Sequence, residues 1–185
     1  MGCMVNGTPY RHPAVLANMA ASLDIVSGGR LELGLGAGWN QQEADAYGID
    51  LLPMGQRMDR FEEAVEVIGS LLCQETTTFK GRYFNLAEAR CEPKGPQQHG
   101  PPLVIGGGGE KRTLRIAARF AQHWNLPFAK PEVFKQKREV LEAHCEVVGR
   151  DPSEITCSVQ IAFAADQDGA EAADQAVRLF EAGAD

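Results

Sequence analysis

Two glycine-rich runs carry the residues best suited to bind a ligand. They are Gly34-Leu35-Gly36-Ala37-Gly38-Trp39 and Gly106-Gly107-Gly108-Gly109-Glu110. Glycine lets backbone N–H groups approach an anion because no Cβ stands in the way, and a helix N-terminus adds partial positive charge. Each run follows a strand-like segment and precedes a helix-like one, so the sequence predicts two anion-binding turns. Tight turns in which glycine only relieves crowding are the alternative.

The first run is a poor dinucleotide-binding fingerprint. It contains G-x-G-x-G, but the spacing to a third glycine is wrong. About 20 residues further on, where that fingerprint needs an acidic residue, the chain has Arg57 and Met58. The pattern therefore does not favour a Rossmann domain.

Several other polar and aromatic residues invite a functional interpretation. His12 could act as a general base or ligand contact, although a loop residue that fixes the helix starting at Pro13 is the favoured interpretation. Trp39, Trp124 and Asn125 follow or lie in strands and could line a pocket for a planar ring, or only pack at its rim. The charged residues between 57 and 66 are interpreted as a solvated helix face.

Composition limits the class of protein. The chain has 185 residues, 44% of them apolar, which predicts one globular domain over 1–185 and excludes a disordered chain. Its net charge of -7 argues against nucleic acid as a partner, and no apolar run is long enough for a membrane span. The five cysteines have no metal-ligand spacing, so we expect buried or half-buried thiols, no metal and a cytoplasmic location.

Helix and strand signals alternate along the chain. Helices are predicted at residues 13–26, 41–47, 56–72, 110–121, 131–148 and 169–180. Apolar residues recur at helical spacing at positions 16, 19, 23 and 26 of the first helix and form a stripe at positions 58, 61, 65, 68 and 72 of the third. Strands are predicted at residues 2–5, 31–36, 103–105, 123–126 and 155–164, and a β-hairpin at 76–86 with its turn at Gly81. Strands regularly separated by helices indicate a parallel sheet or barrel. Residues 76–102 interrupt this alternation and are interpreted as an insertion.

Three segments resemble one known family. Residues 10–14 (YRHPA), 23–39 (LDIVSGGRLELGLGAGW) and 106–114 (GGGGEKRTL) are similar to the luciferase-like monooxygenase superfamily, in its branch of F420-dependent oxidoreductases. The resemblance covers almost the whole chain. It implies an α/β fold, a partial TIM-type (β/α) barrel with a β-hairpin insertion, incomplete at both ends.

The resemblance also implies a cofactor site. The family often has a non-proline cis peptide behind the cofactor ring, which by position falls near Met4-Val5. The residues expected to bind the cofactor are Met4, Val5, Asn6, Ala37, Gly38, Trp39, Gln42, Gly107, Gly108, Gly109, Glu110, Arg112 and Thr113. Within this set Gly107 to Thr113 would form a phosphate cradle, with charge from Lys111 or Arg112, while Glu110 would point away and cap its own helix.

The implied activity is hydride transfer between F420 and an unidentified small organic substrate. An FMN-dependent monooxygenase and a non-catalytic barrel fragment are the alternatives. No residue here matches the family's usual acid and histidine, so the catalytic residues are unknown and we expect the chain alone not to turn over substrate. Trp39 stands where sugar-phosphate-oxidising relatives carry a glutamate, which disfavours that substrate class. Whether the protein assembles as a homodimer is left open by the sequence.

Overall fold

The computed structural model describes residues 2–162 and 169–185 and divides the chain into two compact units, Met1–Leu103 and Val104–Asp185. In the first unit the elements are β1 (Asn6–Gly7), α1 (Pro13–Ser27), β2 (Leu33–Gly36), α2 (Gln41–Ala46), α3 (Met54–Cys73), β3 (Thr77–Lys80) and β4 (Asn85–Ala89). Then come β5 (Leu103–Gly106), α4 (Thr113–Phe120), β6 (His123–Pro127), α5 (Pro131–Val148), β7 (Thr156–Gln160) and α6 (Gly169–Glu181).

The order of the elements confirms the predicted strand–helix alternation, and the pairing of the strands confirms a parallel arrangement. In the first unit β1 pairs in parallel with β2, and in the second β6 pairs in parallel with both β5 and β7. The antiparallel pair β3–β4 is the predicted hairpin. Five core strands and one hairpin are thus present in the described residues. The organisation of 1–185 as a single domain stays a prediction.

The hairpin turn is longer than predicted. Residues 82–84, expected to be a strand, connect β3 to β4. The Glu63 carboxylate on α3 accepts the backbone N–H groups of Arg82, Tyr83 and Phe84 at 2.8, 2.9 and 3.1 Å. These donors are therefore satisfied by a side chain instead of a sheet ladder. The interpretation of Glu63 as part of a solvated face was wrong.

The two long helices of the first unit differ in how well the sequence predicted their buried faces. The stripe of α3 is confirmed, because Met58, Phe61, Val65, Ile68 and Leu72 are all buried. In α1 the apolar series was misleading. Leu16 is buried, whereas Met19, Leu23 and Val26 are exposed and the small residues Ala17, Ala20 and Ala21 are buried instead. Small side chains let α1 pack closely on α3.

Three strands have bounds that differ from the predicted ones. The first strand is Asn6–Gly7, not 2–5, and a 3-10 turn at Thr8–Tyr10 follows it. The second strand begins at Leu33, not at residue 31, and all four of its residues are buried. The end of the strand predicted at 155–164 lies partly outside the described residues, and β7 spans Thr156–Gln160.

Candidate cofactor-binding site

The glycine loop after β5 is fixed at its base by β6. The Gly107 N–H donates to the Asn125 carbonyl at 2.9 Å, and the Gly107 carbonyl accepts the indole N–H of Trp124 at 2.8 Å. Gly107 has a φ of +119°, a conformation that favours glycine. The loop therefore leaves the end of a buried strand in a defined direction.

Two further glycines of the loop lie close against neighbouring side chains. A Cβ on Gly108 would lie 2.6 Å from Cδ1 of Leu126, and one on Gly109 would lie 2.8 Å from Oγ1 of Thr113. Both distances are shorter than ordinary van der Waals contact. Relief of crowding, the alternative raised by the sequence, thus explains part of this glycine run.

The same loop exposes a series of backbone donors. Within the described residues, no acceptor is recorded for the N–H groups of Gly108, Gly109, Glu110, Lys111 and Thr113. The helix α4 begins at Thr113, three residues later than predicted, and the N–H of Leu114 bonds back to the Gly109 carbonyl at 3.0 Å. Unpaired donors ahead of a helix N-terminus are suited to bind an anion.

Glu110 is held by α5, which contradicts the expectation that it caps α4. Its carboxylate lies 2.7 Å from the Lys137 ammonium, and its carbonyl oxygen lies 2.7 Å from Nε2 of His144. Hydrogen bonding and charge from Lys137 lower the pKa of the Glu110 carboxyl. Because α4 starts at Thr113, Glu110 precedes the first turn and cannot serve as its cap.

Lys137 and His144 were missed by the sequence reasoning. A signal was present, because Phe134, Lys137, Leu141 and His144 recur at helical spacing on α5. Phe134 and Leu141 are buried, so the stripe on which the lysine and histidine lie faces the protein.

Trp124 and Asn125 form part of the packing. The Trp124 ring is fully buried and stacks on Phe134 at 5.4 Å between centroids, so it offers no face to a ligand. The Asn125 amide donates to Oγ of Ser158 on β7 at 2.8 Å, and His123 Nε2 lies 2.6 Å from the same oxygen. For these strand residues the interpretation as packing is the one supported.

In the first unit the segment before β1 lies against β2. The peptide bond Met4–Val5 is cis, which confirms the position implied by the resemblance. A Cβ on Gly36 would lie 2.7 Å from Cγ2 of Val5, and one on Gly34 would meet the Cys3 carbonyl oxygen. The amide of Asn6 also donates to the Gly34 carbonyl at 3.1 Å. The glycines of β2 therefore permit this close approach.

The loop after β2 is anchored by α3. The Arg57 guanidinium donates to the carbonyls of Gly38, Leu51 and Leu52 at 3.2, 2.7 and 3.0 Å. Arg57 is thus a structural residue and not part of a solvated face. Trp39, next to this anchor, is 85% exposed, so its ring is available for contact.

His12 has the structural role that the sequence favoured. Its Nδ1 accepts the backbone N–H of Ala14 at 3.2 Å, capping α1, and its ring meets Phe84 edge-on at 5.3 Å. Nearby, the Tyr10 hydroxyl donates to Glu43 at 2.7 Å, which raises the pKa of Tyr10. Gln42, the neighbour of Glu43 on α2, is exposed.

The cysteines are all free thiols. Cys91, Cys145 and Cys157 are buried, whereas Cys3 and Cys73 are exposed, so the expectation of buried or half-buried thiols was wrong for these two. Over residues 2–162 and 169–185, no group of three or more potential ligands is arranged to hold a metal ion. In the same ranges, no helix combines the length and apolar character that crossing a membrane needs.

A family model described as luciferase-like monooxygenase matches residues 1–184. The chain belongs to the luciferase-like monooxygenase family. Among its relatives is the pyrimidine monooxygenase RutA of Cronobacter sakazakii, 33% identical over 181 residues, which are 94% of this chain and 50% of that protein. This family member therefore spans about half the length of that relative, and its family is one of enzymes.

Solved structures support the same fold. An F420-dependent secondary alcohol dehydrogenase, in complex with an F420-acetone adduct, is 27% identical with a TM-score of 0.72, over 86% of this chain and 47% of the other. The F420-dependent tetrahydromethanopterin reductase of Methanopyrus kandleri is 24% identical with a TM-score of 0.78, over 92% and 52%. The fold of this family member is accordingly a partial (β/α) barrel.

Proposed function

We propose that this protein is an oxidoreductase that transfers hydride between coenzyme F420 and a small organic substrate. The observation that supports the proposal is the row of backbone donors after β5, where the N–H groups of Gly108 to Lys111 and of Thr113 have no acceptor among the described residues. In barrels of this type ligands bind at the C-terminal ends of the strands. A phosphate is the group of the cofactor that such a row of donors would bind.

The residues present fit a phosphate. Several backbone donors, the Thr113 hydroxyl and the exposed Lys111 provide hydrogen bonds and positive charge in an otherwise acidic chain. Glycine at 107 to 109 keeps side chains out of the turn. When bound, F420 would supply the hydride chemistry, while the chain would hold and orient it.

The remaining assigned residues lie in the first unit. We assign to the cofactor site Met4, Val5, Asn6, Ala37, Gly38, Trp39 and Gln42. What supports this assignment is that Met4 and Val5 directly precede β1, residues 37–39 directly follow β2, and Gln42 lies on α2, which comes next in the chain. The exposed Trp39 ring offers a flat surface to a planar ligand. The residues that we assign in the second unit are Gly107, Gly108, Gly109, Glu110 (through its backbone N–H), Arg112 and Thr113.

The choice of F420 is supported by the 27% identity to an F420-dependent alcohol dehydrogenase. A second candidate is an FMN-dependent monooxygenase, which the 33% identity to RutA over most of the chain favours. A barrel that binds a ligand without catalysis is the third. All three predict a small-molecule ligand, but only the first two predict turnover.

Identification of the small molecule that co-purifies with the protein, expressed from its whole reading frame, tests the proposal. Its absorbance spectrum and mass distinguish a deazaflavin from FMN. Recovery of F420 is the expected result. Recovery of FMN would support the second candidate instead, and failure to bind either cofactor when it is added would refute both.

A further inference from the structure

The ion pair between Glu110 and Lys137 lies against the glycine loop. Lys137 reaches the loop from α5, and its Cε is 3.9 Å from the position that a Cβ on Gly108 would occupy. Its ammonium lies 2.7 Å from the Glu110 carboxylate, and its side chain is 22% exposed. A cation is therefore placed beside the unpaired N–H groups of the loop.

The loop does not depend on this pair for its position. The Trp124 indole holds the Gly107 carbonyl, and the His144 ring contacts the Glu110 carbonyl at 2.7 Å. The backbone is thus fixed at both ends by contacts that involve neither the carboxylate of Glu110 nor Lys137. The ion pair is free to change partners without displacing the loop.

A carboxylate next to a phosphate site is repulsive unless a cation lies between them. Here Lys137 is that cation, and lysine has three donors on a flexible stem. A phosphate seated on the loop N–H groups would offer this ammonium a second anionic acceptor. Glu110 then holds the ammonium at the loop when no phosphate is bound.

We propose that Lys137 makes the site selective for phosphorylated cofactors, and that Glu110 keeps its ammonium in place until the phosphate arrives. This rests on the proposed function, because it assumes that the loop binds a cofactor phosphate. The contribution of Lys137 applies to the phosphate and not to the ring system. Glu110 competes for the same ammonium, so its removal strengthens phosphate binding.

Pairs of ligands with and without the phosphate test this assignment, and FMN and riboflavin differ in the phosphate alone. The dissociation constants of FMN and riboflavin, and of F420 and its deazaflavin without the phosphate-bearing chain, are measured by fluorescence titration. The variants are Lys137→Gln, Lys137→Arg and Glu110→Gln. Lys135→Gln is the matched control, because this substitution removes the same charge from α5 at an exposed position that does not contact Glu110.

Lys137→Gln should raise the dissociation constant of the preferred phosphorylated cofactor by about tenfold to a hundredfold, which corresponds to the loss of one hydrogen bond to a charged group. Binding of its unphosphorylated counterpart should stay within about twofold. Lys137→Arg should keep most of the preference, and Glu110→Gln should tighten binding of the phosphorylated ligand. Lys135→Gln should match the wild type.

Equal losses for both ligands of a pair would show that Lys137 only supports the loop, and would overturn the inference while leaving the proposed function intact. Weaker phosphate binding by Glu110→Gln would overturn it as well. If the wild-type protein binds none of the four ligands, the proposed function itself fails and this inference with it. Far-UV circular dichroism of each variant verifies that the fold is retained.

Discussion

Replacement of Gly108 by alanine measures how tightly the glycine loop packs. The added Cβ would lie 2.6 Å from Cδ1 of Leu126, compared with about 3.5–4.0 Å for an ordinary carbon contact. Leu126 is buried on β6, so it cannot move into solvent. Overpacking of this kind costs about 1–3 kcal/mol, and we expect Gly108→Ala to lower the free energy of unfolding by that amount.

Urea denaturation of a double-mutant cycle separates this contact from other effects. Leu126→Ala alone should cost about 2–5 kcal/mol through loss of buried volume. In the double variant the alanine methyl group at 108 has room, so the combined cost should fall short of the sum by about 1 kcal/mol or more. Gly55→Ala is the control, because a Cβ there meets nothing within 4 Å.

The control should be neutral or stabilising by about 0.4–1 kcal/mol, as expected for glycine to alanine without strain. Wild-type stability of Gly108→Ala would refute the packing argument. Strictly additive costs in the double variant would show that the clash is not with Leu126. Because this substitution disturbs packing, a bulky residue at 108 is a poor probe of cofactor binding.

Three further predictions concern single side chains. Glu63→Gln should destabilise the protein by about 1.5–3 kcal/mol in thermal unfolding, because its carboxylate accepts three backbone N–H groups, while the exposed Glu139→Gln should change little. Burial raises the pKa of the Cys157 thiol to about 11. At pH 8 a thiol reagent should therefore modify the exposed Cys3 readily and Cys157 only after the protein unfolds. Equal rates of modification for the two thiols would contradict the burial of Cys157. The pKa of the Glu110 carboxyl is lowered in the folded state, mainly by the hydrogen bond from Lys137. Its ion pair therefore stabilises the folded protein at pH values above the ordinary carboxyl pKa of about 4.3. This stabilisation is lost as the pH falls through the pKa that the carboxyl has in the folded state. The stability difference between wild type and Glu110→Gln in urea should therefore disappear towards acidic pH, and a constant difference would argue against the pair.

The sequence predicted best those features that follow from local patterns. The stripe of α3 and the ends of α5, with Pro131 at its start and Gly149 after its end, could be assigned because periodicity and caps act over a few residues. The buried face of α1 could not. Its large apolar residues outline one face, but close packing on α3 selects the face with alanines.

The site was predictable only in part for a similar reason. The glycines at 106–109 stand out in the sequence, and the cis peptide at Met4–Val5 followed from the resemblance. The sequence did not show that Lys137 and His144 contact this loop, because they lie on α5, 27 and 34 residues beyond Glu110. Contacts between distant segments depend on tertiary packing, which local patterns do not specify.

Titration of the protein, expressed from its whole reading frame, with F420 and with FMN decides between hydride transfer with F420 and a flavin-dependent reaction. Fluorescence or calorimetric titration gives the two dissociation constants under the same conditions. Tighter binding of F420 is the expected result. Tighter binding of FMN would contradict the cofactor assignment and favour a flavin-dependent monooxygenase in its place.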